Sequence, residues 1–193
     1  MVAVHSTMLA LGTHVPTFQL PDAAGKLHSP ADAANAGALL VAFVCNHCPY
    51  VVHIGPKLGE KARQWATQGL AVLAINANDI DAYPQDGPEH MSTFAEQNGW
   101  HFPYLLDETQ HVAQMFQAAC TPDLFLFDAA HKLAYRGQFD TSRPGNNQPV
   151  TGADLDRAVQ AVLANKPVAG EQIPSIGCNI KWRPGNQPGY GPV

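Results

Sequence analysis

The run Ala38-Leu39-Leu40-Val41-Ala42-Phe43-Val44 leads directly into Cys45-Asn46-His47-Cys48-Pro49. An unbroken apolar stretch bounded by Gly37 reads as a central strand covered on both faces. Pro49 suits the first turn of a helix, where its missing N–H costs nothing. Two cysteines two residues apart fill the turn between them. Strand, turn and helix in this order point to a layered α/β domain with its site at the carboxyl end of the strand. In that setting the cysteine spacing reads as a thiol–disulfide redox motif.

The remaining chain repeats the alternation. Val15 to Ser29 reads as a hairpin, with Phe18 and Leu20 before Pro21-Asp22 and a turn at Ala24-Gly25-Lys26. From Pro49 a helix carries Leu58, Ala62, Trp65 and Ala66 inward to Gly69, and Gly55-Pro56 predicts a kink or restart within it. Leu70–Ile75 is a second buried strand. Pro88 opens a helix bearing Met91, Phe94 and Ala95, stopped by Gly99. Phe102–Leu106 is a short strand. Asp107 with Gln110 predicts a capping pair for a helix bearing Val112, Ala113 and Phe116. Thr121-Pro122 breaks the pattern, and Leu124–Phe127 with Leu133–Phe139 form a hairpin. Thr151 with Asp154 predicts the cap of a last helix, with Leu155, Val159, Val162 and Leu163 inward. Residues 1–166 are read as one domain. The Pro/Gly-rich residues 167–193 are read as an extension packed on or near it, not as an element of secondary structure.

Composition narrows the function classes. The net charge of −5 gives no electrostatic case for nucleic acid or an anionic membrane. No stretch reaches roughly 18 unbroken apolar residues, so no membrane span is predicted. Residues 1–12 lack a basic leader and carry only a short apolar part, which favours the cytoplasm. Four cysteines in 193 residues are too few for a disulfide scaffold; in a reducing compartment they are thiols, catalytic groups or ligands.

The chain resembles the thioredoxin-like superfamily, and within it the redoxin group of alkyl hydroperoxide reductases and thiol-specific antioxidants, in a peroxiredoxin-like branch that carries a C-x-x-C. The resemblance rests on Val15-Pro16-Thr17-Phe18-Gln19-Leu20-Pro21-Asp22 with Gly25-Lys26, on Val44 to Val51, on Ala74 to Asp79, on Phe102 to Gln110, on Cys120-Thr121-Pro122-Asp123 and on Ile176 to Trp182. It implies a thioredoxin fold, a central mixed β-sheet flanked by helices, with an N-terminal β-hairpin and a Pro/Gly-rich C-terminal extension. It also implies a cis Thr121–Pro122 bond facing the cysteines and docking the substrate.

On this reading Cys45 is the nucleophile, its thiol lowered from a free value of about 8.5 by a helix N-terminus. Cys48 resolves the mixed disulfide and leaves a Cys45–Cys48 bridge. His47 either tunes the thiolate or is an exposed polar residue. Cys120 and Cys178 are each accessory redox thiols or packed, inert side chains. Asp79 and Asp107 are proton-transfer candidates or loop acids and caps, and His53 is a surface residue or a neighbour of Cys48. The expected activity is thiol–disulfide oxidoreduction without a cofactor or metal, on a disulfide-bearing protein or small molecule. Electrons would come from a donor such as a thioredoxin or glutathione system. Neither nucleic acid nor membrane is an expected partner, and a homodimer is open. Two alternatives stand: an antioxidant thiol peroxidase, and a metal-binding or metallochaperone module. The peroxidase alternative is weakened because Ala42 stands three residues before Cys45, where a peroxidase carries Thr. In addition, no spacing aims Arg63, Arg136 or Arg143 at the cysteines. Metal binding is weakened because two further ligands are needed.

Overall fold

A computed structural model describes residues 3–190. In chain order the elements are β1 (Ala3–His5), β2 (Leu20–Pro21), β3 (Leu27–His28), β4 (Ala38–Phe43), α1 (Pro49–Ala66), β5 (Leu70–Asn76), α2 (Pro88–Gln97), β6 (Tyr104–Leu106), α3 (His111–Met115), β7 (Cys120–Thr121), β8 (Asp123–Asp128), β9 (Leu133–Arg136), α4 (Ala153–Leu163) and β10 (Ile176–Asn179). Short 3-10 turns lie at Pro30–Ala33 and Pro84–Asp86.

The central sheet runs β6-β5-β4-β8-β9. β4, β5 and β6 are parallel, while β8 and β9 return antiparallel. With helices on both faces this is the thioredoxin fold, and β2 pairs β3 in the expected N-terminal hairpin. Every residue of β4 is buried, and the two-residue period divides them between two cores. Ala38, Leu40 and Ala42 join Leu58, Trp65, Leu155 and Val159 on one face. Leu39, Val41 and Phe43 join Phe116, Phe125 and Phe127 on the other. There the rings meet edge to face, Phe43 lying 5.2 Å from Phe116 and 5.9 Å from Phe125 between centroids. This double covering is why the apolar run could be read as a central strand.

Three expectations need correction. The helix α1 is not interrupted at Gly55-Pro56 but runs continuously from Pro49 to Ala66. Pro56 and Val52, whose carbonyl loses its helical donor, both lie on the exposed side, where water can serve the carbonyl. On the buried side, Gly55 and Gly59 press against the Asn98–Trp100 segment so closely that a Cβ at either would overlap Asn98. The Gly55 carbonyl accepts the Trp100 indole N–H at 2.9 Å.

The two predicted capping pairs are also rewired. The Asp107 side chain serves α3, accepting from the Ala113 N–H at 2.8 Å, while the Gln110 side chain turns away to the Ala77 and Lys181 carbonyls. At the start of α4 the Thr151 hydroxyl does accept the Ala153 N–H at 3.3 Å, but its partner is Asp140, which accepts the N–H groups of Thr151 at 2.6 Å and Gly152 at 2.7 Å. Asp154 instead accepts from Gln138 and Arg157. Finally, the C-terminal extension does contain an element. β10 is the middle strand of a second sheet, β1-β10-β7, and joins both ends of the chain to the segment that precedes Pro122.

Asp123 opens β8 fully buried, with one carboxylate oxygen unpartnered, and burial pushes its carboxyl up to about 7. An unfolded aspartate titrates near 3.9, so between those values the folded chain binds the extra proton. Its stabilising contribution is therefore complete below about pH 4 and is lost as pH rises through about 7, by up to roughly 4 kcal/mol. Urea denaturation at pH 5 and pH 8 checks this: Asp123→Asn should lose less stability than wild type between the two.

Candidate active site

The carboxyl end of β4 delivers Cys45, and Cys48 is the N-cap residue of α1 with Pro49 in its first turn. Both sulfurs are buried, at 1% and 0% exposure, so the site is a closed one. None of the four cysteines is in a disulfide. Across from the pair runs Thr121–Pro122, whose peptide bond is cis as expected. Thr121 is hydrogen-bonded to both sulfurs. Its hydroxyl lies 3.5 Å from Cys45 Sγ, and its carbonyl accepts from Cys48 Sγ–H at 3.0 Å.

The loop between the cysteines is pinned by a residue the sequence reading passed over, Asp86. It is fully buried at the end of the Pro84–Asp86 turn. Its Oδ1 accepts the Asn46 N–H at 2.9 Å. Its Oδ2 lies 2.7 Å from His47 Nδ1 and accepts from the Asn78 side chain at 2.8 Å. Burial pushes this carboxyl up, but the hydrogen bonds from His47, Asn78 and Asn46 outweigh it and hold it below the usual range. Asn46 is further tied to the Gln85 carbonyl and to the Tyr104 hydroxyl. His47 stacks on Tyr83 with ring planes 6° apart. His47 is therefore an oriented imidazole, only partly exposed. The signal for Asp86 was present in a weak form: an acid next to Gly87-Pro88, in the loop that leaves the carboxyl end of β5.

The electrostatics of the pair differ from the simple expectation for Cys45. The hydrogen bond with Cys48, burial and the nearby Asp86 charge all push the Cys45 thiol up, opposed by Thr121. Cys48 is pulled down to about 5, first by its hydrogen bond from Cys45 and, against burial, by the thiol and N–H of Cys178 and by Thr121. The two sulfurs thus compete for one proton: the hydrogen bonds from Cys45, Cys178 and Thr121 favour a thiolate on Cys48, while the Thr121 carbonyl favours a thiol there. The alternative placement also has its partners. With the proton moved to Cys48, the Cys48 thiol donates to the Thr121 carbonyl and the Cys45 thiolate accepts the Thr121 hydroxyl.

The other candidates divide. Cys178 lies beside Cys48. Cys120 is buried with its thiol on the Pro122 carbonyl at 3.5 Å, and burial pushes it up. His53 bonds Ser142 at 2.7 Å, Asp79 holds its own loop through the N–H groups of Asp81 and Ala82, and Asp107 caps α3. Arg136 is spent on the Leu9 carbonyl and Gln172, Arg143 on the carbonyls of Asp140 and Ser142, and Arg63 is exposed in the last turn of α1. One set of side chains has metal-ligand chemistry: Cys45, His47 and Asp86 bring donor atoms within 4.8 Å of one another. Asp86 and His47 already satisfy each other there, so a metal would have to displace those bonds. Among the described residues, no helix is long and apolar enough to cross a membrane.

A thiolate titration should show one thiolate of the pair forming near pH 5, well below a free thiol. Thr121→Val removes a hydroxyl that favours both thiolates, so the midpoint should move up; absorbance at 240 nm reads both.

The chain is similar to several known proteins. A crystal structure of a hypothetical protein from Sinorhizobium meliloti superposes with a TM-score of 0.93 at 50% identity, covering 94% of this chain and 100% of that one. An uncharacterized conserved protein from Geobacillus kaustophilus gives a TM-score of 0.92 at 46% identity, covering 95% and 98%. A curated relative, the thiol-disulfide oxidoreductase ResA of Geobacillus thermodenitrificans, is 27% identical over 127 residues, 66% of this chain and 68% of the relative. The AhpC/TSA family model matches residues 11–136, from the N-terminal hairpin through the cysteine pair to the end of β9, and the chain belongs to that family.

Proposed function

We propose that this protein is a thiol–disulfide oxidoreductase in which Cys45 and Cys48 form a two-electron dithiol–disulfide couple. The observation that carries this reading is a pair of adjacent buried cysteines whose sulfurs are both hydrogen-bonded to the cis-proline segment. The likeness to the curated thiol-disulfide oxidoreductase supports it.

One proton is shared between the two sulfurs, and its position decides which of them is the thiolate. Transfer of that proton along the hydrogen bond between the sulfurs gives a Cys45 thiolate stabilised by the Thr121 hydroxyl. The Cys45 thiolate attacks one sulfur of an incoming disulfide and expels the other as a thiol. Cys48, which readily loses its proton, then attacks the Cys45 sulfur of the mixed disulfide. The product is a Cys45–Cys48 bridge and a second reduced thiol. Because both sulfurs are enclosed, a substrate must open the site locally before attack. A thioredoxin- or glutathione-type donor would return the bridge to the dithiol, in keeping with a proposed cytoplasmic setting.

His47, held by buried Asp86, is a positioning residue for the Cys45 loop. The peroxidase alternative draws no support from the arginines, which are engaged away from the sulfurs.

Disulfide exchange with glutathione disulfide tests the reading. Cys45→Ser should lower the rate by on the order of a thousandfold or more, as removal of a nucleophile does elsewhere. Cys48→Ser should accumulate a glutathione adduct on Cys45. Unchanged exchange in Cys45→Ser, or an adduct only on another cysteine, would overturn it.

A further inference from the structure

The mechanism above leaves one sulfur at the site unused. β10 crosses the cysteine pair with Cys178 in register opposite Thr121 and Asn179 opposite Cys120. Directly opposed residues of an antiparallel pair project to the same face, and successive residues to opposite faces. The Thr121 side chain reaches Cys45 Sγ at 3.5 Å, so Cys178 projects toward the cysteine pair and Cys120 projects away from it. The thiol and the N–H of Cys178 both hydrogen-bond the Cys48 sulfur.

This placement is built, not incidental. Gly177 lets β10 lie directly on the Thr121–Pro122 peptide, since a Cβ there would overlap the Thr121 carbonyl. The strand is flanked by β1 on one edge and β7 on the other. Beyond it, Lys181 is fastened to the loop after β5: its N–H donates to Asn78 at 2.9 Å and its carbonyl accepts from the Asp79 N–H at 2.8 Å. Cys178 is 3% exposed and therefore meets the pair before any solvent thiol does.

We propose that Cys178 is a third redox-active residue, which takes the disulfide from Cys45–Cys48 by exchange at the Cys48 sulfur. The proposal rests on the oxidoreductase reading, which supplies the first bridge. In the step, Cys178 sulfur attacks Cys48 sulfur; the Cys48–Cys178 bond forms and the Cys45–Cys48 bond breaks. The electron pair of the broken bond leaves on Cys45, and the Cys178 proton ends there. No net oxidation occurs, so no further reagent is needed. The reverse attack, Cys45 on Cys48, restores the first bridge. One disulfide is thus shared by three sulfurs, and an oxidised protein can present a reduced Cys45.

The test uses the full-length wild-type chain, oxidised anaerobically with one equivalent of glutathione disulfide, acid-quenched, denatured and alkylated. Non-reducing tryptic mapping then locates the bridge. The expected result is a peptide pair cross-linked through Cys48 and Cys178 with Cys45 alkylated, in a tenth or more of the oxidised protein. Cys178→Ser should lose both that pair and the alkylated Cys45 of the oxidised form, while Cys120→Ser should keep them. Oxidised protein that contains only Cys45–Cys48, with Cys178 fully alkylated, overturns this proposal and leaves the oxidoreductase reading standing. Absence of any intramolecular disulfide overturns both.

Discussion

Thr121 is the residue on which the site depends. Its hydroxyl reaches Cys45, its carbonyl receives Cys48, and its backbone is paired in register with Cys178. Three sulfurs, two from one turn and one from far along the chain, are therefore referenced to one residue. A thiolate in a closed, low-dielectric space is costly unless donors meet it. Here the donors converge on Cys48, and the Thr121 hydroxyl stands ready for the same charge on Cys45. The rigid frame behind Thr121 matters for the same reason. β8 follows at once and lies against β4, the strand that carries Cys45.

Charge around the pair is arranged with opposing signs of effect. Asp86 fixes the Asn46–His47 loop through its hydrogen bonds, yet its negative charge makes a Cys45 thiolate harder to form. The second buried acid, Asp123, is pushed up by burial to about 7, and its charge, where present, adds to burial in pushing the Cys120 thiol up. One carboxyl is held below its usual range because three hydrogen-bonding partners surround it, the Asn46 N–H, His47 and Asn78. The other is pushed up by burial, and its Oδ1 has no partner.

Much of this was legible in the sequence, and the limits have physical causes. The strand β4, the cysteine turn, the start of α1 and the Thr121–Pro122 break could be read because each is a local signal: an apolar run, a spacing, a proline. The uninterrupted course of α1 could not, since it depends on which side of the helix Pro56 and Val52 occupy once α1 is packed. The capping of α4 by Asp140 and the turning of Gln110 toward Lys181 are likewise tertiary choices that override a local pairing rule. Asp86 looked like an ordinary loop acid until the fold buried it against His47. The hardest feature was β10. Ile176 to Asn179 has little strand character between its prolines and glycines, and it becomes a strand only because two open edges, β1 and β7, accept its backbone.

That strand has a consequence for how the molecule comes into being. Its register joins Ala3 to Cys178, nearly the whole length of the chain apart, and closing so large a loop comes late in folding. During synthesis from the N-terminus, β4, α1 and β8 all emerge before residues 176–179 do. The nascent chain therefore passes through a stage in which the cysteine pair is assembled but uncovered. The arrival of residues 176–179 then brings Cys178 against the pair, so the third sulfur joins the site after the first two are in place.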